Sequence, residues 1–310
     1  MNFLMVKIHI VFTNNCLFTP DTGSIRTGNE TFMAFVSTRF RALIAMMKSI
    51  LFPLLSSLLL ASAQGALVEK AVTYEQGGVK LEGFHVYDDA VQGKRPAVLI
   101  IHQWTGLTDY EKGRGRQLAE LGYNVFAADI YGVGIRPKPP EAAKEAGKYK
   151  GDRKLFRARI DAGLEVLKED ERTDPSKIAA IGYCFGGTGV LELARSGAEV
   201  AGVVSFHGGL DSAPGFAAEK GKVPAKVLVL HGAIDPKVPA EQVSAFEKEF
   251  NEAGADWQLV AYSGAVHAFT QKMAGNDISS GVAYDATADR RSWEAMKVFF
   301  NEIFGAPAAK

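Results

Sequence analysis

A thiol, a carboxylate and an imidazole stand at three points of this chain where each could take a defined part in nucleophilic chemistry: Cys184, Asp235 and His267. Cys184 lies in Gly182-Tyr183-Cys184-Phe185-Gly186-Gly187, behind the apolar run Ile178 to Ile181 and ahead of the helix-compatible stretch Thr188 to Arg195. A G-x-C-x-G corner between strand and helix holds its central residue in a strained backbone conformation that small flanking residues permit. The helix N-terminus beyond it favours a thiolate. Glycine-rich corners also pack helices on sheets or cradle phosphates, so the order of the other two groups matters. Val227-Leu-Val-Leu-His-Gly-Ala-Ile-Asp235-Pro carries the carboxylate just past a strand, and Ala261-Tyr-Ser-Gly-Ala-Val-His267-Ala-Phe269 carries the imidazole just past another. Nucleophile, acid and base thus follow one another, 51 residues (184 to 235) and 32 residues (235 to 267) apart. Open parallel sheets bind ligands outside the carboxyl ends of their strands, so all three groups can converge there. Taken singly, Cys184 also reads as a small core residue, His267 as a satisfied loop histidine and Asp235 as a turn former before Pro236.

Three further histidines, His102, His207 and His231, also follow strands. They lack H-x-x-x-H or C-x-x-C spacing, so no metal site is expected and they read as structural or as supports of the site. Asp129, at the end of its own strand, reads as a cap for the following loop.

The elements that must position these groups alternate. Val68 to Tyr74 and Val79 to Tyr87, joined at Gln76-Gly77-Gly78, read as an antiparallel hairpin. Apolar runs follow at Ala97 to Ile101, Asn124 to Ala128, Ile178 to Ile181, Ala201 to Phe206, Val227 to Leu230 and Trp257 to Tyr262. Helix-like segments lie at Thr108 to Leu121, Gly151 to Glu169, Thr188 to Arg195, Ala240 to Ala253 and Thr287 to Ile303. The expected fold is α/β, a mostly parallel central sheet with an N-terminal antiparallel hairpin and helices on both faces. Tyr131 to Lys150, rich in proline and glycine, reads either as a loop with substrate contacts or as a solvated loop leading into a short helix.

With 35 basic and 35 acidic residues the chain is neutral, and no nucleic-acid partner is expected. A hydrophobic content of 47% is ample for a large core. Lys48, the apolar run Ile50 to Leu60 and Ala61-Ser62-Ala63 read as a secretory signal peptide over residues 46–63, with Met46 or Met47 as the working start and residues 1–45 as a mis-assigned extension. A membrane anchor or amphipathic helix is the other reading of that run, which is too short to span a bilayer. Cleavage after Ala63 leaves residues 64–310 as one domain, mildly acidic, in the periplasm or secreted, without stable membrane association. Cys16 is then lost, and Cys184 remains as a lone thiol that no internal disulfide can use.

In G-Y-C-F-G-G, L-H-G-A-x-D and G-A-x-H-A-F, taken in that order, the chain resembles the dienelactone hydrolase family of α/β-hydrolases over roughly Ala66 to Phe304. The resemblance implies the α/β-hydrolase fold, a Cys-Asp-His triad, hydrolysis of a small ester or lactone, and no metal or cofactor. Founding members carry a glutamate that interacts with the thiol where Gln103 stands here, and an arginine for a substrate carboxylate where Gln271 stands. Lys272, Arg136 and Arg291, with Gln103, are the substrate-contact candidates that remain. The backbone N–H of Phe185 would form one half of the oxyanion hole and that of Trp104 the other, with Gln103 the alternative to Trp104.

Three function classes are carried forward. The first is an exported hydrolase of small-molecule esters or lactones, the second an exported thiol redox or peroxide-reactive protein, the third a non-catalytic binding protein on a hydrolase scaffold. Oligomeric state is not legible.

Overall fold

Residues 65–305 are described by the computed structural model, so the expected signal peptide, its cleavage site and the extension before it lie outside the described residues. Among the described residues no helix is long and apolar enough to cross a membrane.

The chain enters as a hairpin, β1 (Leu67–Gln76) and β2 (Val79–Asp88), paired from Leu67 with Asp88 to Gln76 with Val79. Gly77 and Gly78, with φ of +57° and +75°, make the two-residue turn, and positive φ at both positions gives a turn whose twist matches that of the flanking strands. Six more strands follow: β3 (Arg95–Ile101), β4 (Asn124–Ala128), β5 (Thr173–Tyr183), β6 (Gly202–Phe206), β7 (Lys226–Gly232) and β8 (Trp257–Tyr262). They join in the order β1-β2-β4-β3-β5-β6-β7-β8. β2 meets β4 antiparallel, and every pair from β4 to β8 is parallel. The hairpin therefore covers one edge of a parallel sheet.

Helices α1 (Asp109–Glu120), α2 (Glu141–Gly151), α3 (Arg153–Glu169), α4 (Phe185–Arg195), α5 (Ala240–Ala253) and α6 (Ala286–Phe304) supply the crossovers. Alternate residues of each strand go to opposite faces. Val98, Ile100, Ala179, Ile181, Val204 and Leu228 pack against α1 and α6 through Leu118, Met296 and Phe300. Leu99, Ile101, Ala180, Val203 and Val229 pack on the other face against Tyr149, Phe156, Ile160, Val190, Phe246 and Phe250 of α2 to α5. Strands buried on both sides read as continuous apolar runs, which is how the sequence displays them.

Two segments sharpen the sequence expectation. Tyr131 to Lys150 follows the second of its two readings: a loop exposed at Val133 to Ile135 and Lys138 to Pro140 leads into α2, three turns long, with Ala142, Ala146 and Tyr149 buried along one stripe. Its prolines precede the helix, where a missing N–H costs nothing, and Pro140 stands at the N-cap. Secondly, α4 begins at Phe185 rather than Thr188, so Gly186 and Gly187 belong to the helix.

Candidate active site

Cys184 joins β5 to α4 with φ +54° and ψ −112°, a conformation an L-residue keeps only when its surroundings enforce it. The glycines show how. A methyl group on Gly182 would lie 2.0 Å from the Gly186 carbonyl oxygen, and one on Gly186 would lie 2.1 Å from that of Ile101. The corner closes only without side chains at these positions, and the backbone N–H of Cys184 is tied to the Phe206 carbonyl at 3.0 Å. The thiol is left half-buried at the carboxyl edge of the sheet, at the N-terminus of α4.

Asp235 sits in the turn after β7, whose backbone closes from Asp235 N–H to the Gly232 carbonyl (3.0 Å). One carboxylate oxygen, Oδ1, accepts the Lys237 N–H at 2.7 Å, which leaves Oδ2 to face the loop after β8. That loop is pinned by His267 N–H to Gly281 (3.3 Å) and Ala283 N–H to the His267 carbonyl (3.0 Å). The result is a line of three side chains. His267 Nδ1 lies 2.8 Å from Asp235 Oδ2, and its Nε2 lies 3.0 Å from Cys184 Sγ. Sequence order and sheet topology thus bring together all three groups expected to meet.

Electrostatics orders the protons. Burial raises the Cys184 thiol, but the facing imidazole, with Lys150 and the Phe185 N–H, outweighs it, and the thiol lies below its ordinary value. Burial likewise works against a charged His267, yet the thiolate and the Asp235 carboxylate hold that ring well above the usual histidine range. A thiolate–imidazolium pair is the favoured state.

The other histidines behave differently. His102 donates from Nδ1 to the Gln103 carbonyl (2.6 Å) and accepts the Ile130 N–H at Nε2 (3.2 Å), and burial lowers it to about 4. His207, packed at 5.3 Å against the His267 ring, is bonded through Nε2 to Thr270 Oγ1 (2.8 Å) and pushed far down by burial. His231 is lowered by burial as well. Asp129 caps the loop as expected, accepting the N–H groups of Tyr131 and Gly132, each at 3.1 Å. No group of three or more metal-ligating side chains exists among the described residues.

The loop after β3 faces Phe185, the first residue of α4. Here one alternative drops out: the N–H of Gln103 is bonded to Glu111 Oε1 (3.1 Å) and cannot serve as an oxyanion donor. The Gln103 carbonyl accepts from His102 and from Gly106 N–H (3.2 Å), so across the trans peptide the Trp104 N–H points the other way. That N–H has no partner among the described residues, while the Trp104 carbonyl accepts the Tyr131 hydroxyl at 3.0 Å. Glu111, fully buried, also accepts the N–H and hydroxyl of Thr108 (2.8 and 2.7 Å). Sequence reasoning missed it, although Thr108-x-x-Glu111 spells a capping box.

Of the substrate-contact candidates, Gln103 is brought close to the histidine loop, where its Oε1 accepts Gln271 Nε2. Arg136 is not free for a ligand: its guanidinium is bonded to the carbonyls of Leu107 (2.5 Å), Ile135 (2.7 Å) and Gly132 (3.3 Å). It borders a cavity of about 380 Å³ with Leu107, Thr108, Lys112 and Glu82, which contains none of Cys184, Asp235 and His267. Arg291 is exposed on α6 and Lys272 is exposed in a single turn after the histidine loop. Neither is bonded to the three-residue line.

Comparison with known proteins adds independent findings. Residues 81–304 match the model of the dienelactone hydrolase family. The chain is 28% identical over 239 residues to a candidate carboxymethylenebutenolidase of Aquifex aeolicus, covering 74% of this chain and 96% of that protein. It is 41% identical, with a TM-score of 0.74, to the crystal structure of a dienelactone hydrolase-like promiscuous phosphotriesterase from metagenomic libraries, covering 78% of this chain and 100% of that one. The crystal structure of a candidate dienelactone hydrolase from Klebsiella pneumoniae, 20% identical with a TM-score of 0.63 over 76% of this chain and 99% of its own, shares the fold.

Proposed function

This chain belongs to the dienelactone hydrolase family, whose members act on esters and lactones, and from that premise we propose that it opens a small ester or lactone through the Cys184 thiolate. The observation that carries this reading is the line Sγ, Nε2, Nδ1, Oδ2, with contacts of 3.0 and 2.8 Å. The thiolate attacks the carbonyl carbon, and the carbonyl electron pair moves onto oxygen between the N–H groups of Phe185 and Trp104. Collapse expels the alkoxide, which takes the proton held on His267 Nε2 and leaves a thioester on Cys184. His267, now neutral, takes a proton from water as that water attacks the thioester. The acid departs, and the thiolate–imidazolium pair is restored. Asp235 keeps Nδ1 protonated and stabilises the ring each time it is charged.

Hydrolysis of a chromogenic aryl ester by the wild type and by Cys184→Ala tests the reading, with folding of both checked by thermal melts. Turnover should disappear in the variant, and iodoacetamide should inactivate the wild type. Unchanged turnover in Cys184→Ala would remove the thiol mechanism. A neutral phosphotriester belongs in the same panel, because the 41% identical protein is described as a phosphotriesterase. The proposal includes export with cleavage after Ala63, which rests on residues 46–63 of the sequence.

A further inference from the structure

Backbone strain gathers around His267. The non-glycine residues with positive φ among the described residues are Cys184 (+54°), His207 (+41°) and Ala268 (+60°). Such conformations persist only where neighbouring contacts over-determine them. Close-fitting glycines hold Cys184. His207, the first residue after β6, and Ala268, directly after His267, are held by other contacts, and these take no part in the mechanism above.

They begin at Arg114 on α1. Its guanidinium packs over the rings of Tyr110, Tyr183 and Trp293 at 5.4, 5.8 and 5.4 Å. One nitrogen, Nη2, donates to Asp289 of α6 (2.5 Å) and to the Thr270 carbonyl (3.0 Å), and Nε donates to the Tyr110 hydroxyl oxygen (3.4 Å). A guanidinium has no acceptor, so the Tyr110 hydroxyl accepts from it and passes its own hydrogen to Thr270 Oγ1 at 2.6 Å. Thr270 passes its hydrogen in turn to His207 Nε2 at 2.8 Å. Three residues past His267, Thr270 is thus held at both its carbonyl and its hydroxyl. The His207 ring stands 5.3 Å from the His267 ring at 68° and 5.1 Å from Phe269 at 81°. Burial keeps that ring neutral, so it walls the imidazolium without repelling it. On the other side of the cluster, the Tyr110 ring lies 5.1 Å from Tyr183, the residue before Cys184.

In the resting protein the His267 side chain is bonded at both nitrogens, to Asp235 and to Cys184. Once the sulfur is acylated the second bond is gone, and the ring keeps its place through Asp235 and through what packs against it. We propose that Thr270 is a positioning residue: joined to Arg114 and Tyr110, it fixes the His207 ring against His267, so that the imidazole stays in line to activate water after Cys184 has been acylated. This rests on the hydrolase reading above.

The test follows hydrolysis of 4-nitrophenyl acetate by the wild type, Thr270→Val, Thr270→Ser and Tyr110→Phe, in the steady state and before it, with thermal melts on each. Valine keeps the shape of threonine and removes the hydroxyl; serine restores the hydroxyl. Thr270→Val should lower kcat about tenfold or more without raising KM, because the loss falls on hydrolysis of the thioester. Nitrophenolate should then appear as a burst of about one equivalent, at close to the wild-type acylation rate, followed by the slowed turnover. Thr270→Ser should retain most of kcat. Tyr110→Phe breaks the chain one bond further from the imidazole, so it should lower kcat in the same way but less, and it keeps the idea testable if the valine variant does not fold. Wild-type kcat in folded Thr270→Val or Tyr110→Phe, or equal losses in Thr270→Val and Thr270→Ser, would overturn it. Loss of ester turnover in Cys184→Ala upholds the hydrolase reading whatever the Thr270 variants do.

Discussion

Replacing Asp235 with asparagine isolates what the carboxylate does for the proton. Asp235 is 4% exposed, and its Oδ2 meets His267 Nδ1 at 2.8 Å while Oδ1 takes the Lys237 N–H at 2.7 Å. Asparagine keeps an oxygen for the Lys237 bond, so the turn survives, but it sets an N–H against the Nδ1–H of the ring. A hydrogen bond to a charged partner contributes roughly 1.5–3 kcal/mol. At about 1.36 kcal/mol per unit, its loss lowers the affinity of the ring for its proton by roughly one to two units. The sign for the thiol follows from the pairing. Cys184 lies below its ordinary value because His267 is charged beside it, so thiolate persists into the acid side and is lost as pH falls through that depressed value. The ring is charged throughout that step, so a less basic ring shows on the other side, where the imidazolium proton is lost at lower pH. The basic limb of kcat/KM, on which the proton donor to the leaving group is lost, should therefore move down by roughly one to two units in Asp235→Asn, and rates above the limb should fall about ten- to hundredfold. Values of kcat/KM over a pH series, with melts to confirm folding, measure this directly. Superimposable profiles for wild type and variant would refute the electrostatic reading of the line.

Gly182→Ala should be strongly destabilised, because its methyl group would stand 2.0 Å from the Gly186 carbonyl in a corner with no room to yield; a loss of at least ~1–3 kcal/mol is expected, read as a lower thermal midpoint. Glu111→Gln should lower the midpoint too, since an amide nitrogen would face one of the three donors now bonded to the carboxylate. It should also reduce kcat more than it raises KM, because the Gln103–Trp104 peptide loses its tether; an unchanged kcat would separate Glu111 from the oxyanion loop. Mass analysis of the protein expressed from its full sequence should find a mature N-terminus at Gln64, and an intact Met1 would end the proposal of export.

The line Cys184, Asp235, His267 was legible because each group lies within a few residues of a strand end, where a parallel sheet gathers its loops. Pattern of another kind left Tyr131 to Lys150 with two readings, of which the loop leading into a short helix holds. Pro137, Pro139, Pro140 and the flanking glycines dominate the reading of Tyr131 to Lys150, whereas the stripe Ala142, Ala146, Tyr149 is short and two-thirds alanine. The fate of Arg136 could not be read at all, because spacing does not show that three carbonyls already occupy its guanidinium. The same holds for the choice between Gln103 and Trp104. What bears on it is the hydrogen bond from the Gln103 N–H to Glu111, eight positions away, although the capping-box spacing of Thr108 and Glu111 was in the sequence.

Four histidines follow strands at this sheet edge, and their types alone do not distinguish them. Burial distinguishes three: His102 uses both ring nitrogens on backbone groups, His207 is bonded to Thr270, and His231 is lowered by desolvation that the nearby Asp235 charge does not outweigh. His267 is buried as well, so burial alone would make it a fourth neutral ring. What reverses the outcome is position between two anions, a carboxylate fixed by the turn after β7 and a thiolate held at positive φ by glycines that admit no side chain. The strain at Cys184 and the chemistry of His267 are thus two ends of one arrangement. Relaxing the corner would withdraw the sulfur from Nε2 and leave the imidazole as ordinary as its neighbours.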